Sequence, residues 1–137
     1  MNWTFESHTG KIFSPDGNYF SSGYAGGNLG KNPEGINNPE MQFVHNIGPL
    51  PEGWYTFGEW IAEHPRLGKD VFALIPDAGN VMGLPGEVPR SGFYCHGDTP
   101  KPRCASEGCI VAPNAVRAAM FKSTCHRLRV VATYQHC

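Results

Sequence analysis

The placement of glycine and proline constrains this chain more than any other feature. Seventeen glycines and twelve prolines fall among 137 residues, about one residue in five, well above the average of roughly 12%. They cut the chain into short runs, and within those runs apolar and polar residues alternate. "NWTFES" and "KIFSP" flank a turn at "HTG", and "YFSSGYAG" follows a "PDGN" turn. A period of two bounded by turn residues predicts two or three antiparallel strands. "MQFVHNIGPLPEGWYTFGEW" predicts strand, turn and strand, with Pro51 at the first inner position of a type I turn and Gly53 at its exit. An apolar strand "VFALI" follows a break at His64–Pro65, and "RSGFYCHG" and "HRLRVVATY" predict two more.

Residues 25–40, "AGGNLGKNPEGINNPE", have little to bury and predict a long ordered loop. One segment reads as helix, "APNAVRAAMFKST". Pro113 suits its first position, Ala115, Val116, Ala119 and Met120 its apolar face, and Lys122 its last turn. The length suits one domain over residues 1–137 with a single core, and no repeat or linker divides it. The expected fold is mainly β, with one short helix and long Gly/Asn/Pro loops.

Net charge is −1, which lacks the basic footprint that nucleic-acid binding needs. Its distribution is uneven: residues 1–89 carry ten acids and four bases, residues 90–137 two acids and seven bases. A positive last third favours a thiolate and a carboxylate-bearing partner. The start, "MNWTFESHTGKIF", has no basic region followed by an apolar run, so no secretory signal is expected. No apolar stretch approaches the ~18 residues of a membrane span. Five cysteines are many for a cytosolic chain of this size, and an odd count leaves one unpaired.

The chemistry concentrates in "FYCHGDTPKPRCASEGC", residues 93–109. Strand alternation puts Phe93 and Cys95 on one face, Tyr94 and His96 on the other. Cys95 is then a packed thiol, while His96 ends the strand before Gly97, where the backbone can turn sharply. Cys109 follows Gly108 and precedes the Pro113 helix. A glycine before a nucleophile relieves a sharp turn and frees backbone N–H groups for an oxyanion. An imidazolium at His96 and a nearby helix N-terminus would lower the thiol pKa. Cysteine and histidine so placed are suited to acyl transfer.

"HGD" followed by "SEGCI" resembles the paired signature of the L,D-transpeptidase catalytic domain, His-Gly then Ser-X-Gly-Cys. "GPLPEGWYTFG", "EHPRLG", "RSGFYCHGD" and the loop with "NNPE" resemble the type VI secretion effectors of that family, over roughly residues 3–134. The resemblance implies a β-sandwich or barrel and an enzyme acting on tetrapeptide stems of peptidoglycan, at the bond between meso-diaminopimelate and D-alanine. It implies Cys109 as nucleophile, His96 as general base and acid, and Ser106 as support for the imidazole or the turn. N–H groups around Gly108 and Cys109 would form the oxyanion hole, beside Gly97. It also implies delivery by a secretion machine into a rival's periplasm and a cognate immunity protein as partner. The chain departs from envelope-building members at Glu107, where most have a second histidine, and at Val111, where many have Arg or Asn nearby. The His-to-Cys separation is shorter too. A narrower or differently covered site, with a different acceptor preference, is expected.

Asp98 could orient His96 or cap the turn. Tyr94 shares the His96 face and either lines the site or packs, and His64 in "EHPRLG" falls, by the resemblance, near the cleft. No cofactor is expected, and zinc is disfavoured because no C-x2–4-C pair occurs. In an oxidising compartment Cys104 and Cys125 are candidates for a disulfide, with Cys95 and Cys137 left over; four free thiols are the alternative. His8, His45, His126 and His136 read as surface or structural. A non-catalytic peptidoglycan-binding module that retains the cleft is the alternative function.

Overall fold

One glycine brings the two ends of the sheet together. A computed structural model describes residues 1–134 of the chain; Cys137 and His136 lie outside the described residues. The strands are β1 (Trp3–Glu6), β2 (Lys11–Phe13), β3 (Tyr19–Ser22), β4 (Tyr24–Ala25), β5 (Gly53–His64), β6 (Gly68–Pro76), β7 (Phe93–His96), β8 (Ile110–Val111) and β9 (Arg127–Val131). They form one sheet in the order β3-β2-β1-β9-β5-β6-β7-β8-β4. β3 and β4 stand at opposite edges of that order, yet only Gly23 separates them in sequence. The sheet must therefore curl until its edges meet, as in a barrel. A Cβ on Gly23 would lie 2.1 Å from the Val111 carbonyl oxygen, so no other residue allows this closure.

The strands follow the alternation. Phe5, Ile12, Tyr55, Phe72, Leu128 and Val130 are buried inside the curled sheet. β1 pairs antiparallel with β2 and parallel with β9, and β5 and β6 make a long hairpin that ends at His64 and Gly68. Arg90, Arg117, Glu6 and Ser106 are buried beside the apolar core, so polar partners must be supplied by the fold. The mainly β architecture with one short α-helix among the described residues agrees with the sequence expectation.

Two local expectations are corrected. The strand predicted from "MQFVHNIG" does not form: a 3-10 turn at Pro39–Met41 gives way to further turns. The reason is Arg90, whose guanidinium donates to the carbonyls of Gln42, Pro49 and Gly48. This backbone wraps a buried cation instead of pairing with a strand. The 25–40 loop is ordered by 3-10 turns at Asn28–Gly30 and Pro33–Gly35.

The helix, α1 (Asn114–Lys122), starts one residue later than expected, with Pro113 as its N-cap. It buries only part of the expected face. Ala115 and Ala119 are exposed, whereas Arg117 and Met120 are buried and Val116 and Phe121 pack on the core. Arg117 turns inward because carbonyls await it: Ala112 at 2.6 Å, Asp70 at 2.8 Å and Lys69 at 3.2 Å. α1 is thereby fastened to the start of β6.

Candidate active site

β7 and β8 run parallel, with Cys95 opposite Ile110 and His96 opposite Val111. That register sets Cys109 beside Tyr94, and the Tyr94 N–H indeed meets the Cys109 Sγ at 3.4 Å. Alternation then does the sorting. Cys95 and Ile110 face the core, both almost fully buried. His96 and Cys109 lie on the other face, diagonal neighbours across the ladder, and both line one cavity of about 540 Å3. This volume suits a small-molecule or peptide site. Arg66, Arg90, Asp98 and Glu107 bring charge to its wall.

The turn carrying Cys109 is organised by the buried Ser106. Its Oγ accepts the N–H groups of Gly26 (2.8 Å) and Gly108 (3.0 Å) and donates to the Cys109 carbonyl at 2.6 Å. Ser106 therefore supports the turn, one of the two roles left open. Gly108 has φ +137°, and a Cβ there would stand 2.4 Å from Arg90 Nη2 and 2.9 Å from Phe93 Cε1. The Gly108 N–H is spent on Ser106, which corrects the expectation that it faces an oxyanion; the Cys109 N–H is the remaining donor of that pair.

His96 is buried, and its Nδ1 lies 2.8 Å from the Gly97 carbonyl oxygen. A carbonyl only accepts, so Nδ1 carries the proton and the neutral ring keeps its lone pair on Nε2. Gly97, not Asp98, thus fixes the imidazole. Asp98 caps its own turn: Oδ1 accepts from Tyr24 Oη and the Thr99 N–H, Oδ2 from the Arg103 N–H. Gly97 has no room to spare, since a Cβ would approach the Arg117 guanidinium to 3.0 Å.

Burial holds the His96 pKa below its ordinary value, and the charges of Arg117 and Arg66 add to this against the Gly97 bond. Burial also pushes the Cys109 thiol up; the Tyr94 N–H, Arg66 and Arg90 oppose it, and Glu107 reinforces it. Both shifts work against the expected thiolate–imidazolium pair. Burial thus favours the thiol and the neutral imidazole. In that form the imidazole can take the proton as the sulfur attacks and return it to a leaving group.

Tyr94 and His64 do not line the cavity. Their rings pack edge-on against each other, with centroids 5.2 Å apart. His64 Nδ1 also accepts the N–H groups of Arg66 and Leu67, each at 3.1 Å. It shapes the hairpin tip, and Arg66 and Leu67 reach the cavity in its place. The four described cysteines are free, so the Cys104–Cys125 disulfide is absent. Cys104 sits against Gly30 at the cavity wall, while Cys125 donates to the Met1 carbonyl. Among the described residues no three His, Cys, Asp or Glu side chains gather as for a metal.

The chain matches the Tlde1 domain over residues 30–136, which takes in the β5–β6 hairpin, both cavity arginines, His96 and Cys109. The chain belongs to the Tlde1 domain family. This is a family of type VI secretion effectors. No curated protein and no solved structure matches the chain. Among the described residues of this effector-family chain, no helix is long and apolar enough to cross a membrane.

Sequence reasoning missed Arg66 and Arg90 as cavity residues. An arginine buried by backbone carbonyls leaves no pattern in sequence, because its partners are carbonyls that every residue has. Arg66 had a signal, since His-Pro-Arg-Leu-Gly is a turn sequence between two strand runs.

Proposed function

We propose that this chain is a cysteine-dependent peptidoglycan hydrolase and acyl transferase. It acts on the bond between meso-diaminopimelate and D-alanine in tetrapeptide stems, in the periplasm of a target bacterium. The observation that carries this reading is the placement of His96 and Cys109 on one face of the parallel β7–β8 pair, opening into a single cavity.

The steps follow from the protonation state that burial favours. His96 Nε2 takes the Cys109 proton as Sγ forms a bond to the diaminopimelate carbonyl carbon, giving a tetrahedral oxyanion that accepts a hydrogen bond from the Cys109 N–H. Collapse breaks the C–N bond. His96 gives its proton to the departing D-alanine nitrogen and a thioester remains. Water, a D-amino acid or a second stem then attacks the thioester carbonyl, losing its proton to His96, and Cys109 leaves and is reprotonated. Water as acceptor makes the reaction a carboxypeptidase; an amine makes it an exchange or a cross-link. Membership of an effector family supports delivery by a secretion machine and protection of kin cells by a cognate immunity protein.

Mass spectrometry of muropeptides after incubation with purified protein tests the reading. Loss of one alanine, a swap to an added D-amino acid, or new dimers are the three expected signatures. Cys109→Ala is expected to abolish all of them, by at least about 10^3-fold, with its melting temperature little changed. Unaltered muropeptides with the wild-type chain, or full turnover by the alanine variant, would overturn the proposal. A toxic effect that survives Cys109→Ala would identify a peptidoglycan-binding module instead.

A further inference from the structure

Two cations reach the cavity, and they differ in what they have left to give. The Arg90 guanidinium is buried and donates to four backbone carbonyls, those of Gln42, Pro49, Gly48 and Glu107. Both of its Nη groups are committed to the backbone, so its role is structural. Arg66 stands at the tip of the β5–β6 hairpin with 69% of its side chain exposed, and meets the Glu107 carboxylate at 3.7 Å. That is an ion pair without a hydrogen bond, and a guanidinium has five N–H donors in a fixed fork.

Glu107 immediately precedes the Gly108–Cys109 turn and lines the same cavity as Cys109. An exposed, loosely held pair of this kind contributes little to stability. It can exchange partners at low cost, and a carboxylate entering the cavity would find in Arg66 a fork suited to bidentate binding. The Arg66 backbone is nonetheless fixed: His64 Nδ1 accepts its amide N–H, and the His64 ring packs on Tyr94, whose own N–H meets Cys109 Sγ. These contacts fix where the hairpin tip carrying Arg66 stands relative to β7.

We propose that Arg66 is the specificity-determining residue that anchors a free carboxylate of the peptide stem, and that Glu107 occupies Arg66 until substrate displaces it. This rests on the function proposed above. A stem offers two such groups near the scissile bond, the D-alanine terminus and the side-chain carboxylate of diaminopimelate. Either supplies the same chemistry, and Arg66 holds one of them during thioester formation.

The test uses purified protein and soluble tetrapeptide stems, unmodified, amidated at the D-alanine terminus, or amidated on the diaminopimelate side chain. For Arg66→Gln, KM for the unmodified stem is expected to rise roughly 10-fold or more with kcat within about threefold, as for loss of one charge-assisted pair. Arg66→Lys should recover part of that loss. For wild type, one of the two amidations should raise KM by a similar factor, and in Arg66→Gln the same amidation should add nothing further. That arm identifies which carboxylate is bound. Glu107→Gln should lower KM, since it releases Arg66 for the stem carboxylate. The proposal is overturned by an unchanged KM in Arg66→Gln, by equal turnover of all three stems, or by a Glu107→Gln variant that loses affinity as Arg66→Gln does. If the wild-type chain alters none of the three stems, the peptidoglycan reading itself fails and this proposal with it. Any wild-type turnover separates that failure from failure of the anchor alone.

Discussion

Two turns meet at the cavity, and they are built in opposite ways. The turn from Ser106 to Cys109 is saturated: a buried hydroxyl holds two amides and one carbonyl, Arg90 holds the Glu107 carbonyl, and Gly108 fills a space no side chain fits. The tip from His64 to Gly68 is sparse, with one imidazole nitrogen shaping it and an exposed arginine at its end. A reacting atom must be held to a fraction of an ångström, which requires every polar neighbour to be committed. A group that receives a ligand must keep donors uncommitted. On the function proposed above, the contrast between saturated and sparse turns is a division of labour between chemistry and recognition.

Breaking the saturated turn should cost most. Gly108→Ala adds a Cβ 2.4 Å from Arg90 Nη2 and places alanine at φ +137°, a backbone region worth of order 1–3 kcal/mol of strain. The turn must move, and Cys109 with it. Turnover of tetrapeptide stems should fall by roughly 10^2-fold or more, and thermal unfolding should shift downward. A variant with normal turnover would show that the sulfur tolerates displacement, and would dissolve the contrast.

The sheet and the Cys109–His96 pair were legible in sequence because both rest on strand alternation. Period two sorts Cys95 from His96, and Gly108 marks the turn before Cys109. What escaped depends on partners far away along the chain. The segment 41–48 alternates like a strand, but Arg90 claims its carbonyls. The helix stripe through Ala115 and Ala119 looked apolar, yet Arg117 is the residue that turns inward, because β6 offers carbonyls to it. Depth escaped too: a positive last third predicted a depressed thiol pKa, whereas desolvation outweighs those charges at Cys109. Local pattern reports which face a residue takes, and burial then decides its protonation.

The protonation state gives an intermediate effect. His96 is held below its ordinary pKa by burial, so it stays neutral and basic in the folded protein at pH values where a free imidazole, near 6.5, is half protonated. The acidic limb of kcat/KM should therefore lie below about pH 6.5. Stability carries the matching sign. The unfolded chain binds a proton near pH 6.5 and the folded chain only lower, so His96 costs stability progressively as pH falls from that value toward its folded pKa. An acidic limb above pH 7 would mean that the imidazole is not desolvated as its burial requires. Alkylation of Cys109 should likewise be no faster than that of an ordinary thiol near neutral pH.

The smallest effect belongs to the sparse turn. His64→Ala removes an acceptor from the Arg66 and Leu67 amides and a ring from Tyr94, all near the surface. Those amides can turn to water, so the loss in stability should be below about 1 kcal/mol. Arg66 keeps its charge but loses the bond that fixes its backbone, so KM for stems should rise severalfold with kcat nearly constant. Turnover near Cys109 is insulated, because the Tyr94 contact to sulfur is made by the backbone N–H and is fixed by β7 pairing with β6. A fall in kcat as large as that from Gly108→Ala would show that the two turns are mechanically one unit. A shift in KM alone, lost again when Arg66 is already Gln, would establish that His64 acts through Arg66 and that recognition can be tuned without touching the atoms that react.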